Sequence, residues 1–236
     1  MQPRAKDWVA FWDADPPIYA NARHKELHYA ELARGVAEHL PAGEPRVLDY
    51  GCGEALGAEW LARRCGALFL YDASPQLRRR LRDRCAGVDR LRILDDGELG
   101  KLEAASLDLI LVASVIQYLS REALGELLEL CRDKLRADGA LLIVDVPPTQ
   151  TSIVADAVSL LAFGARGGFL TSAIVSLARL FFSDYRRLRR EAGFTSYDAT
   201  DLEELLRAHG FVMRQASRNL GHNSRRAAFI ARLATA

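Results

Sequence analysis

Lysine is scarce in this chain. It occurs only at positions 6, 25, 101 and 134 among 32 basic residues, so arginine carries nearly all the positive charge. Against 31 acidic residues the formal net charge is +1, which argues against a nucleic-acid binder held by a broad basic footprint. Cysteine is sparse too. Cys52, Cys65, Cys85 and Cys131 show no C-x-x-C spacing, and each falls in an apparent core element or turn. That fits reduced thiols in a cytoplasmic protein better than a disulfide frame or a zinc site, and no metal is expected. The apolar stretch 153–182 has no charge-free run longer than Gly167 to Ala178, far short of the ~20 residues that span a bilayer. The opening Met-Gln-Pro-Arg-Ala-Lys-Asp-Trp has no apolar h-region, so no secretory signal is expected. Internal repeats and low-complexity tracts are absent.

What remains is ordinary for one globular domain: 236 residues, half of them apolar and 27% charged, enough for a full α/β core with a modest insertion. The chain is organised around residues 46–60. Val47 and Leu48 lead into Asp49 and Gly51-Cys52-Gly53, after which Leu56, Trp60 and Leu61 fall at helical spacing. This predicts a buried strand, a tight glycine turn and a helix. Glycines there let the backbone adopt positive φ and approach a ligand closely. The dinucleotide fingerprint would need glycine at Leu56, and a P-loop would need a Gly-Lys-Ser/Thr ending; neither is present. Asp72 ends a second short apolar run, 19 residues past Gly53, the separation expected of a carboxylate that accepts from ribose hydroxyls. Ser74-Pro75 then opens a helix carrying Arg78, Arg79, Arg80, Arg82 and Arg84, read as a solvated face.

Asp49, Gly51 and Gly53 resemble motif I of the class I S-adenosylmethionine-dependent methyltransferases, Asp/Glu-x-Gly-x-Gly-x-Gly, with Ala55 at the third glycine. Lys134 to Ile143 resembles the same family's K-L-x-P-G-G-x-L stretch, with Ala137 and Asp138 replacing the proline and first glycine. The resemblance covers about 44–146, and loosely a terminal strand pair. It implies S-adenosylmethionine as cofactor and S-adenosylhomocysteine as product. It implies a cofactor site of Asp49, Gly51, Cys52, Gly53, Asp72 and Ala73, with Asp95 or Asp96 at the adenine amino group and Ala113 and Ser114 beside the methionine part. Tyr19, Arg23 and His28 become candidates for a lid, although an amphipathic helix docked on the sheet explains the same segment. Asp95-Asp96-Gly97 reads equally as a plain turn.

The expected fold is α/β: a doubly wound, mostly parallel seven-stranded sheet with a C-terminal antiparallel hairpin. A single domain would comprise a helical lid (1–43), a cofactor-binding core (44–148), a helical substrate cover (149–199) and a final helix and strand pair (200–236). The lid helix is expected at about 18–39. A helix opened by Ser120 should end at Asp138-Gly139, and a fifth strand should run from Ala140 to Val146. A capping box at Thr200–Glu203 precedes strands at Phe211–Ser217 and Ala227–Leu233. If the first of these runs parallel to the main sheet, His222 and Asn223 overhang the acceptor. His222 is the leading candidate base, followed by His28 and Tyr185. The expected activity is methyl transfer to a small hydrophobic acceptor: a lipid, isoprenoid or aromatic metabolite. A non-catalytic cofactor-binding subunit and an enzyme that uses the cofactor for other chemistry are the alternatives. Residues 153–182 read as a pocket roof, a homodimer interface or a peripheral membrane contact.

Overall fold

The computed structural model describes residues 8–10, 13, 19–149, 153–181, 195 and 197–234. One seven-stranded sheet runs β3-β2-β1-β4-β5-β7-β6. Its strands are β1 (Arg46–Tyr50), β2 (Ala67–Tyr71), β3 (Leu91–Leu94), β4 (Leu107–Ala113), β5 (Leu135–Val146), β6 (Phe211–Gln215) and β7 (Ala227–Leu233). The first five are parallel; β7 lies antiparallel between β5 and β6, so β6 points the same way as β5. The helices are α1 (Ala22–Ala37), α2 (Ala58–Ala62), α3 (Pro75–Arg84), α4 (Asp96–Gly100), α5 (Arg121–Lys134), α6 (Ile153–Gly167), α7 (Leu170–Phe181) and α8 (Ala199–Ala208).

Side-chain alternation divides the core between the two faces of the sheet. Leu48, Ile110, Leu141 and Ile143 pack with α4, α5 and α8, chiefly through Leu124, Leu128 and Leu206. Val47, Leu109, Leu111 and Leu142 pack with α1, α2 and α3 through Val36, Leu61 and Leu81. Ser74 and Ser120 cap α3 and α5, accepting from Leu77 N and Ala123 N.

Two expected boundaries move. Helix α5 stops at Lys134 because Leu135 is captured by pairing with Leu107 across a register shift. The Lys134 ammonium donates to the Gly100 and Leu102 carbonyls at 3.0 and 2.6 Å, fixing the exit. Asp138-Gly139 therefore lies within a twelve-residue β5 instead of ending a helix. Helix α8 is capped by Asp198, which accepts from Asp201 N at 2.7 Å, two residues ahead of the Thr200 box. Helix α1 is shorter than expected because Asn21 caps it, accepting from His24 N at 2.8 Å. Among the described residues no helix is long and apolar enough to cross a membrane.

Candidate functional site

The carboxyl end of β1 turns sharply through Gly51 (φ 75°), Gly53 (φ 57°) and Ala55 (φ 44°). Gly51 N and Cys52 N both donate to Tyr71 O, at 2.7 and 3.0 Å, tying this turn to the end of β2. Asp72 completes the link. Its carboxylate accepts from Gly53 N and Ser74 N, each at 2.9 Å. A Cβ on Gly53 would lie 2.7 Å from the Tyr29 hydroxyl, and one on Gly51 2.4 Å from a Val115 methyl. Cys52 is buried, and burial pushes its thiol well above the ordinary range.

Two carboxyl groups share this corner. Burial, and then the neighbouring Asp72, push Asp49 up to about 7. Burial also raises Asp72, against the bonds from Ser74 and Gly53 and the charge of Arg78. Arg78 is the buried member of the arginine-rich helix, a correction to the fully solvated face. Its guanidinium donates to Asp72 O at 2.6 Å and Ala73 O at 3.4 Å, and it pairs with Asp96 at 3.3 Å. Asp96 also accepts from the Tyr71 hydroxyl at 2.7 Å. Asp95 caps α4 in a reciprocal box with Glu98. Ala113 ends β4, and Ser114 beyond it has φ 57°.

The N-terminal segment lies over this corner. Lys25 pairs with Glu54 at 2.5 Å, and the Tyr29 hydroxyl accepts from Glu54 N at 3.0 Å. Tyr19 hydrogen-bonds Tyr29, and burial pushes it up to about 12. Asp13 accepts from the Ser74 hydroxyl. Trp8 is buried against Tyr118, ring centroids 4.4 Å apart. Arg23 points elsewhere, its Nε 3.5 Å from Gly167 O at the α6–α7 turn.

Because β6 runs parallel to β5, the loop after it returns to the same end of the sheet. His222 stacks on Phe163 with centroids 4.5 Å apart and meets His24 and His28 edge-on at 5.7 and 5.8 Å. His24 stacks on Phe169 at 5.0 Å. Burial drives all three imidazoles down: His24 to about 4, His222 to about 3, and His28 below its ordinary value. The Nδ1 atoms of His28 and His222 are buried without a hydrogen-bond partner. Tyr185 lies outside the described residues. Among those residues no cluster of histidine, cysteine or acidic side chains could hold a metal.

Sequence reasoning missed the group that organises this side. Asp145, near the end of β5, has φ 64° and accepts from the Ser114 hydroxyl and Arg226 at 2.6 Å and from the Asn219 amide at 3.1 Å. Asn219 also accepts from Asp145 N, and Asn223 donates to Asp156 on α6. Two neighbouring strand ends, at Ser114 and Asp145, thus hold non-glycine residues in the left-handed region, strain that clusters at functional sites. The available signal was an aspartate at a third strand end, after Asp49 and Asp72.

The corner fits a cofactor bearing a sulfonium, an ammonium and a ribose diol. The causes that raise Asp49 include no cation, Asp72 retains unused acceptor capacity, and the turn exposes backbone at positive φ.

Residues 48–143 match a family model described as a methyltransferase domain. A search of the curated proteins finds no match to this sequence. Among solved structures, the chain is similar to Haemonchus contortus phosphoethanolamine N-methyltransferase 1, in complex with phosphoethanolamine and S-adenosylhomocysteine. That likeness has a TM-score of 0.65 at 16% identity and covers 98% of this chain and 49% of that one. Burkholderia thailandensis 1,6-didemethyltoxoflavin-N1-methyltransferase gives 0.60 at 16% identity over 98% of this chain and 87% of the other. The complex between the Haloferax volcanii Trm112 methyltransferase activator and a putative methyltransferase gives 0.62 at 13% identity, with complete coverage of both chains. The chain spans about half the length of the first of these. Residues 48–143 thus match a methyltransferase domain, within a seven-stranded sheet that has the fold of the class I S-adenosylmethionine-dependent methyltransferases.

Proposed function

We propose that this protein transfers the methyl group of S-adenosylmethionine to a small acceptor with an apolar or aromatic body, seated among the rings of Tyr19, His24, Phe163 and His222. One observation carries the reading: Gly53 N and Asp72 meet at 2.9 Å, at the sheet end where the histidine-aromatic cluster gathers. The bound cofactor supplies an electrophilic methyl carbon, attacked in line by the acceptor's heteroatom or carbon.

The protein's share is mostly placement and electrostatics. Asp72 and the backbone of the 51–53 turn hold the nucleoside, and Asp49 supplies negative charge near a cationic cofactor. Asp96 and Ala73 flank the base through their shared contact with Arg78. Holding the nucleophile about 3–3.5 Å from the methyl carbon accounts for much of the rate gain. His222 and His28, kept neutral by burial, place no positive charge against a sulfonium and leave nitrogen atoms open to the acceptor's proton. A base depressed this far suits an acceptor that holds its proton weakly, such as a phenol, enol or acid, better than an alkyl alcohol. Asp145, close enough to oppose the depression of both imidazoles, would stabilise the imidazolium formed.

The test is calorimetric titration with S-adenosylmethionine, followed by mass spectrometry of small molecules from a cell extract for a gain of one CH₂. Wild type should bind and methylate, Asp72→Ala should lose binding, and His222→Ala should bind but turn over slowly. Absence of binding by wild type, or undiminished binding by Asp72→Ala, refutes the assignment.

A further inference from the structure

The α6–α7 hairpin has two unlike sides. Its inner side buries Phe163, Phe169 and Ala173 against Leu27 and over His24. Its outer side is apolar and open. Of the seven large hydrophobic residues exposed on the described protein, five stand here: Val154 (72% exposed), Val158, Leu170, Ile174 and Val175. Scattered exposed apolar residues need no explanation, but this concentration does.

The outer residues fall into stripes at four-residue spacing, which keeps them on one helix face. On α6, Val154, Val158 and Ala162 are followed one turn later by Arg166; on α7, Thr171 and Val175 are followed by Arg179. All are exposed, and each stripe ends in an arginine. The only acid between 153 and 181 is Asp156, and its carboxylate accepts from the Asn223 amide on the inner side. The face therefore presents apolar surface with positive charge at both ends of the hairpin and no negative charge.

We propose that this face docks the protein on an anionic lipid surface, with the valines, Leu170 and Ile174 in the acyl boundary and the arginines at the headgroups. Long arginine stems can lie along apolar surface while the guanidinium reaches phosphate. Self-association fits less well, because a two-fold contact brings the same patch to itself and this patch holds cations without acids to answer them. The inner side of the hairpin covers the proposed acceptor cluster, so docking places that cluster next to the bilayer. The docking itself needs neither cofactor nor turnover, and its failure would leave the methyl-transfer reading standing.

Vesicle flotation of the full chain tests it, with phosphatidylcholine alone and with phosphatidylcholine mixed with phosphatidylglycerol. Wild type should float with the mixed vesicles, weakly with the neutral ones, and less as salt is raised. Arg166→Gln and Arg179→Gln should each weaken partitioning about fivefold. Ile174→Asp should abolish it, with far-ultraviolet circular dichroism and cofactor binding unchanged. No flotation with either vesicle, or flotation insensitive to both arginine changes, overturns the proposal. So does a lipid-free dimer that Ile174→Asp converts to monomer in sedimentation velocity.

Discussion

The Asp49 carboxyl offers a quantitative test of the cofactor corner. It sits half-buried at the end of β1, pushed up to about 7 by burial and by Asp72. A cofactor carrying positive charge selects its ionised form, so below that pKa a proton must leave before the cofactor is held. The apparent affinity then scales with the ionised fraction, falling about tenfold between about pH 8 and about pH 6, or about 1.4 kcal/mol. His24 and His222 titrate well below this range, at about 4 and 3, and leave the window to the Asp49–Asp72 pair, which the Asp49→Asn variant separates. The assay is titration calorimetry with S-adenosylmethionine across that range, in buffers of different ionisation enthalpy to count protons. Wild type should release up to one proton on binding near the lower end. Asp49→Asn should bind more weakly at the upper end, with a flattened pH dependence. Affinity independent of pH in wild type, or an unchanged slope in Asp49→Asn, refutes the reasoning.

The same group makes a stability prediction. Its folded pKa lies above the unfolded one, so its contribution is present below about pH 4 and lost as pH rises to about 7; at about pH 8 Asp49→Asn should melt higher than wild type, by an amount on the order of 2 kcal/mol. Gly53→Ala places a Cβ at φ 57° and 2.7 Å from the Tyr29 hydroxyl, costing about 1–2 kcal/mol in chemical denaturation and weakening cofactor binding more than Tyr29→Phe does. Asp145→Ala leaves the Arg226 guanidinium without its carboxylate and should cost about 3 kcal/mol, read as a lower unfolding midpoint, with His222 no longer held in place. His222→Phe keeps the stack on Phe163 and removes a buried unpartnered nitrogen. It should raise the melting temperature, by more as pH falls from 6.5 toward about 3, where the depressed His222 pKa works against the fold, while lowering turnover.

Much of the first strand–turn–helix unit was legible because its signals are local. Val47-Leu48 followed by Gly51 and Gly53 specifies a strand and a positive-φ turn within a few residues. Ser74-Pro75 marks its helix equally directly, and Asp72, singled out by its spacing from Gly53, accepts from Gly53 N. Where tertiary pairing competes with local pattern, legibility fails. Leu135 continues the helical period of α5 yet belongs to β5, because pairing with Leu107 outweighs one more helical turn. The arginines of α3 look alike in sequence, but only the register of the helix against the 72–74 loop separates buried Arg78 from exposed Arg79 and Arg80. The ring cluster draws on residues 24, 28, 163, 169 and 222, brought together by three distant elements and by no motif. Asp145 was hidden for a related reason. Its partners Asn219 and Arg226 lie more than seventy residues away, in a loop whose path depends on the antiparallel placement of β7.

That placement has a consequence for how the molecule is completed. Strand β6 touches the sheet only through β7, so while a growing chain lacks residues 227–233, the segment that carries His222 has nowhere to dock. The corner at residues 51–53, built from β1, β2 and β4, pairs without any of these residues. During synthesis the proposed grip on the methyl donor can therefore form before the chamber proposed to choose its recipient, and removal of β7 is expected to erase the second while sparing the first.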